Sequence, residues 1–324
     1  TKSGKIPSET NFQMNEKILL ELLISFIINW ILIYVNLPFF RKFFPDKPNK
    51  RSSHIQIKPS GLGTVFVVTS SVFFFIHGNY LFLANSLLGF VGLIDDRLNL
   101  SASIRFFAQF LFVNFLIQQS DQFNTIFENN LLIINFIIWL ISNLILIGII
   151  NFINFMDGID GLVAGSMIFV VLTTSVILNQ NFYSLISALL AFLFWNWSPS
   201  RVFMGDVGST FLGGFIVSAI TNASSIEFSL LIFISCMPLL LDALVCLLRR
   251  FIDNQKIFKP HKLHLYQRLV QTGWSHSLVS SIYIGSSAII SITCISKNIF
   301  AITLAIIFIA SLYFLFRVTS NTKN

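Results

Sequence analysis

The sequence predicts an all-α, polytopic membrane helical bundle of about ten to eleven transmembrane helices. Three observations carry that prediction. The 324-residue chain is 55% hydrophobic and 11% charged, with a mean hydropathy of +0.78, far from the roughly quarter-charged balance of a soluble domain. Apolar runs of span length follow one another without the two-residue alternation of barrel strands. Lys and Arg collect in some intervening loops and avoid the others.

A hydrocarbon core about 30 Å thick takes about 20 helical residues. On that measure the spans fall at 18–40, 62–77, 80–94, 103–119, 131–150, 162–179, 182–197, 209–223, 228–248, 278–295 and 299–316. The first stops at Arg41-Lys42, and only His77-Gly78-Asn79 divides the second from the third, so those two can merge or re-enter. The third ends on Asp95-Asp96-Arg97, the fifth on an Asn- and Asp-rich segment, the seventh at Asn196 and the ninth at Arg249-Arg250. Residues 1–17 read as a polar N-terminal tail without the apolar core of a signal peptide and 318–324 as a C-terminal tail, leaving 18–317 as one integral-membrane domain.

The loop after the first span holds Arg41, Lys42, Lys47, Lys50, Arg51 and Lys58, and the loop after the ninth holds Arg249, Arg250, Lys256, Lys259, Lys262 and Arg268. Both are therefore expected in the cytoplasm. Counting spans puts 95–102, 151–161 and 198–208 on the same side, while the loops around Asn79, Asp121, Gln180, Ser225 and Lys297 nearly lack basic residues. The net charge of +7 thus belongs to membrane-flanking loops, which suits anionic membrane lipids and argues against a nucleic-acid partner. Cys236, Cys246 and Cys294 lie inside apolar runs and act as small hydrophobes.

Only 14 Asp and Glu are present, yet Asp95, Asp96, Asp157, Asp160 and Asp206 all fall at cytoplasmic span ends. Carboxylates beside a low-dielectric bundle repel one another and lose hydration, so a cation or basic partner is expected. Oxygen donors favour Mg²⁺, with Mn²⁺ the alternative, over zinc. Asp95 and Asp96 diverge by about 100° on a helix, so one faces the reaction centre while the other meets Arg97 or Arg105. A solvated helix end is the competing reading.

The segment from Asn151 through Asn154, Asp157 and Asp160 to Gly161 repeats polar residues at a spacing of three, which places four of them around one cavity. A plain turn is the alternative. After Asn196, Arg201 and Phe203, the turn Gly205-Asp206-Val207-Gly208-Ser209 opens a helix. Such a turn offers backbone N–H groups to an anion and a carboxylate to a metal, as a metal-bound diphosphate requires. Phe203 is either packing or a stacking plate. The last basic loop sets His261 and His264 beside Lys262 and Arg268, suited to binding or protonating a phosphate. A metal pair and simple attraction to the lipid surface are the alternatives. Lys58-Pro59-Ser60-Gly61-Leu62-Gly63 adds a second basic, glycine-containing loop.

Taken together in this order, the acidic pair, the Asn-x-x-Asn-x-x-Asp-Gly-x-Asp-Gly segment, the Gly-Asp-x-Gly-Ser turn and the His-x-x-His loop resemble the polyprenyl-phosphate N-acetylhexosamine-1-phosphate transferases, glycosyltransferase family 4. The similarity runs from about Arg51 to His276. It implies transfer of a sugar 1-phosphate from a UDP-N-acetyl sugar to undecaprenyl phosphate, releasing UMP, at the cytoplasmic side of a bacterial inner membrane. Asp206 and Asn154 would then be Mg²⁺ ligands, with Asp95 and Asp96 around the lipid phosphate and either one a base. Asn151, Asp157, Asp160, Asn196 and Phe203 would bind substrate, the last four at the uridine end. His261, His264, Lys262 and Arg268 match the loop that handles the diphosphate and sugar, and a homodimer is compatible with the family. Two histidines in place of three separate the chain from the muramoyl-pentapeptide branch and bring it nearer the branch that starts O-antigen, lipopolysaccharide and other surface or cell-wall glycans. Asp242 matches an acidic position of that branch, and Ser60 and Leu62 depart from the family's first loop. The alternative class is a cation- or proton-coupled transporter, which also uses intramembrane carboxylates and glycine-broken helices.

Overall fold

The computed structural model describes residues 9–48, 56–255 and 262–321. A long helix α1 (Glu9–Phe43) leads into β1 (Pro45–Asp46), which pairs antiparallel with β2 (Lys58–Pro59). Then follow α2 (Gly63–Ile76), α3 (Tyr80–Leu83), α4 (Asn85–Leu98), α5 (Ala102–Gln119), α6 (Asp121–Glu128), α7 (Leu132–Met156), α8 (Leu162–Leu178) and α9 (Tyr183–Asn196). The chain continues as α10 (Gly205–Asn222), α11 (Ile226–Ser235), α12 (Met237–Ile252), α13 (Leu265–Gln271), α14 (His276–Ser296) and α15 (Ile299–Asn321). This is the all-α bundle the apolar runs predict, with a helix at each expected place. Its outer face is apolar, with Leu132, Leu144, Phe90, Phe194 and Ile292 among the exposed large side chains, as a multi-pass membrane protein requires.

Several details differ from the sequence expectation. Helix α1 begins at Glu9 and not at 18. The third run is broken into α3 and α4, and the ninth into α11 and α12, which meet at 77°. Pro238 in the first turn of α12 explains the second break, because proline fits there and cannot continue a preceding helix. Among the described residues, Glu16–Phe43, Leu132–Met156 and His276–Ser296 are long and apolar enough to cross a bilayer, and the bent pair makes a fourth if counted as one span. Several of the other predicted spans are present as shorter helices. Helices such as Gly63–Ile76 and Tyr183–Asn196 have 14 residues, about 21 Å at 1.5 Å per residue, short of a core about 30 Å thick.

Helix α10 is the axis of the bundle, with Phe211, Leu212, Phe215, Ile216 and Val217 fully buried. It packs most extensively on α4 and then on α7, with α2 and α11 beside it. The close approach of α4 depends on Gly92, where a Cβ would lie 2.5 Å from the Asp206 carbonyl oxygen. Farther along, Phe82, Phe182 and Phe215 interlock, with Phe82 and Phe182 centroids 4.6 Å apart. Rigid aromatic packing at that depth fixes α10 and leaves its N-terminal turn to carry polar chemistry.

Candidate active site

Four segments bring their polar residues to one end of the bundle. Helix α4 ends in the left-handed Asn99, and Ser101 reopens the chain as α5 by accepting the Ile104 N–H. This tight corner puts Arg105, one turn into α5, back over the last turn of α4. Arg105 Nη1 stands 3.1 Å from Asp95 Oδ2 and 3.7 Å from Asp206 Oδ2, so one guanidinium serves two carboxylates. Asp95 Oδ1 also accepts the Leu100 N–H at 2.6 Å. From α7, Asn154 Nδ2 donates to Asp206 Oδ1 at 2.8 Å and to Ser209 Oγ at 2.9 Å. One turn earlier, Asn151 donates to Gln109 Oε1 at 2.7 Å. Asp95, Arg105, Gln109, Asn151, Asn154, Asp206 and Thr210 line a cavity of about 20 Å³, room for a water or a single ion.

Asp96 occupies a different position from its neighbour. Its Oδ1 accepts the Asp206 N–H at 2.8 Å and its Oδ2 the Val207 N–H at 3.2 Å. It therefore caps α10 from another helix, and Gly205, at φ +73°, leaves the space its carboxylate fills. The expectation that this turn offers its N–H groups to a ligand anion is corrected for two of them: the Asp96 carboxyl group accepts the Asp206 and Val207 N–H groups.

The expected cavity of four residues from 151 to 160 is also divided. Helix α7 ends at Met156, so the spacing of three holds for Asn151 and Asn154 but not beyond. Asp157, just past the helix, is pushed up to about 8 by burial and by the Asp206 and Asp160 charges. Asp160 turns away to meet Ser200, whose hydroxyl donates at 2.8 Å, with Lys58 Nζ at 3.9 Å and His276 Nδ1 at 3.3 Å. Burial opposes its charge, but these partners outweigh burial and hold it at about 2. Lys58 Nζ lies 5.1 Å from the centre of the half-buried Phe203 ring, which therefore faces a cation and is not pure packing. Asn196 spends its amide on the main chain, accepting from the Gly161 N–H at 2.9 Å and donating to the Val202 carbonyl at 2.8 Å. It fastens the loop behind Phe203.

His261 lies outside the described residues, as do Arg51, His54 and Lys259. His264 is buried at the start of α13 with Nδ1 3.7 Å from Asp242 Oδ1. Burial disfavours its charge, yet the Asp242 carboxylate prevails and lifts it to about 9. Lys262 and Arg268 flank it on the same segment, Lys262 accepting the Gln271 side-chain N–H through its carbonyl oxygen at 3.1 Å. Sequence reasoning missed Gln109, Ser200 and His276 because each acts only through a partner more than 30 residues away.

A divalent cation fits the donor set. Asp95 Oδ2 is buried without a well-formed hydrogen bond, Asp206 is one-third exposed, and a half-turn of the Asn154 amide presents its oxygen. Among the described residues no three His, Cys, Asp or Glu side chains form a complete metal cage. Mg²⁺ suits such a place, since it keeps several waters and takes one or two carboxylates plus phosphate.

Fold and site thus define a multi-pass membrane protein with a carboxylate-rich centre at one end of its bundle. A family model, glycosyl transferase family 4, matches residues 79–224. A probable undecaprenyl-phosphate N-acetylglucosaminyl 1-phosphate transferase of Bacillus subtilis is 26% identical over 91% of this chain and 92% of its own length. A phospho-N-acetylmuramoyl-pentapeptide-transferase of Caldanaerobacter subterraneus is 30% identical over 82% of this chain and 94% of its own. A decaprenyl-phosphate N-acetylglucosaminephosphotransferase of Mycobacterium leprae is 26% identical, covering 72% and 71%. The chain belongs to this family, the polyprenyl-phosphate hexosamine-1-phosphate transferases of glycosyl transferase family 4. Membership sets aside the transporter alternative.

Proposed function

We propose that this chain transfers an N-acetylhexosamine 1-phosphate from a UDP-sugar to undecaprenyl or a related polyprenyl phosphate. An oxygen of the lipid phosphate attacks the sugar-bearing phosphorus. The bond from that phosphorus to the bridging oxygen breaks, UMP departs with that oxygen, and a lipid-linked diphosphate sugar remains. The observation that carries this reading is the cluster of Asp95, Asp206 and Asn154 around Arg105, in a chain of this family. A lipid phosphate is already anionic near neutral pH, so the protein must chiefly position two anions and relieve their repulsion.

Asp206 and Asn154 would hold Mg²⁺, with Asp95 beside them, and the ion supplies charge neutralisation to the phosphates. Arg105 adds fixed positive charge at the same place. Asp96, with both oxygens committed to α10, keeps Asp206 in position and is a poor choice of base. Phe203 with Lys58 offers a plate and a cation to the uridine end, shaped by Asp157, Asp160 and Asn196. His264, Lys262 and Arg268, with His261, would serve the diphosphate and sugar.

The basic end of α1, Arg41 and Lys42, lies at the same end as the site, since the Arg97 guanidinium donates to the Phe43 carbonyl. That supports a cytoplasmic site in a bacterial inner membrane. The two-histidine loop favours UDP-N-acetylglucosamine or a deoxy-N-acetylhexosamine such as fucosamine or quinovosamine over muramoyl-pentapeptide, and a product that starts a surface glycan. Incubating purified protein with undecaprenyl phosphate and a panel of UDP-sugars, then identifying the lipid product by mass, tests this. A lipid diphosphate N-acetylhexosamine is expected; no lipid product from any donor rejects the reading.

A further inference from the structure

Asp242, on α12, has no part in the reaction as proposed, yet it is fully buried. Its oxygens receive three hydrogen bonds. Oδ1 accepts the Leu265 N–H at 2.8 Å, and Oδ2 accepts the Tyr266 N–H at 3.1 Å and the Tyr283 hydroxyl at 2.7 Å. A buried carboxylate is costly unless its oxygens are satisfied this way. The two N–H groups are those a helix leaves without intrahelical partners at its start, so Asp242 caps α13 from inside the bundle, much as Asp96 caps α10. With seven residues, α13 is too short to hold its shape or place unaided.

Tyr266 carries that anchoring outward. Its ring stacks on His264 with centroids 5.7 Å apart, and its hydroxyl donates to the Phe155 carbonyl at 3.0 Å, in the last turn of α7. Gly158 makes room for the hydroxyl, since any Cβ there would collide with it. Asn154 and Asp157 flank this contact. The capped helix is thereby fastened to the turn that follows the amide pair lining the cavity.

We propose that Asp242 is a positioning residue: by capping α13 it locks the His264–Arg268 segment, through Tyr266, onto the Phe155–Gly158 turn, so that the groups both segments offer the sugar nucleotide keep one spacing. This rests on the transferase reading above. A displacement of about 1 Å between such groups costs on the order of a hundredfold in rate, so loosening the lock should act on the donor side.

The test uses purified full-length protein with undecaprenyl phosphate and the UDP-sugar it turns over. Asp242→Asn and Tyr266→Phe are each expected to lower kcat/KM for the UDP-sugar by about tenfold or more with KM for the lipid unchanged. The double variant should lose no more than the worse single one, because both act through one contact. Amide exchange over 265–271 should quicken in both variants while that over 205–222 stays as in the wild type. Wild-type kinetics in either single variant, losses that multiply in the double variant, or unchanged exchange in α13 would overturn the proposal. If Asp242→Asn does not fold, Tyr266→Phe, which deletes one hydroxyl, decides alone. A wild-type protein that releases no UMP from any donor rejects the transferase reading, and α13 exchange then decides the positioning claim by itself.

Discussion

Among single residues, the recurrent problem is charge held where water is scarce, and its solution is a partner from a distant part of the chain. Arg105 stands between Asp95 and Asp206; without it the two carboxylates face each other uncompensated. Arg105→Ala is expected to lower UMP release by at least about tenfold, with Arg105→Lys less impaired because it keeps the charge but loses the fork. Steady-state rates on the three proteins check this, and equal rates would remove Arg105 from the site. His264 offers a pH test. Its folded pKa of about 9 lies above the ordinary 6.5, so its contribution to stability is complete below about 6.5 and is lost as pH rises through about 9. Thermal unfolding in detergent should show falling stability across that window, and His264→Ala should flatten the fall. At this scale the sequence points to side chains that the fold brings together, since Asp95, Asn154 and Asp206 meet. It did not reveal that Asp96 would face the backbone of α10 or that Asn196 would fasten a loop, because both depend on partners supplied by tertiary packing.

Helices here are placed by close backbone contact and by caps borrowed from neighbours. The approach of α4 to α10 at Gly92 sets Asp96 under the first turn of α10. Gly92→Ala should therefore force the two helices apart, costing about 1–3 kcal/mol and reducing transfer together with the melting temperature. A variant with wild-type melting and wild-type transfer would show that the spacing does not matter. Apolar runs made most helices legible, and α8 at Leu162–Leu178 and α14 at His276–Ser296 fall within two residues of expectation. The bend between α11 and α12 was less so, although Pro238 was a readable signal. The short α6 at Asp121–Glu128 falls where the sequence predicts a loop, because the helix is only eight residues long.

For the molecule as a whole, the fold gathers segments from four regions of the chain at one end of a bundle whose outer face is apolar. The order of motifs identified the family, and the shared end of the bundle is seen in the contacts of Arg105 with Asp95 and Asp206 and of Asn154 with Asp206. A carboxylate-rich centre of this kind should need a divalent cation, so excess EDTA is expected to stop UMP release and added Mg²⁺ to restore it; undiminished release in EDTA would contradict the metal role. The most direct measurement compares wild type with Asp206→Asn, monitoring UMP release from the UDP-sugar in the presence of undecaprenyl phosphate alongside thermal unfolding. The account predicts a loss of at least about a hundredfold with unfolding unchanged. A folded Asp206→Asn protein that releases UMP at the wild-type rate would contradict it.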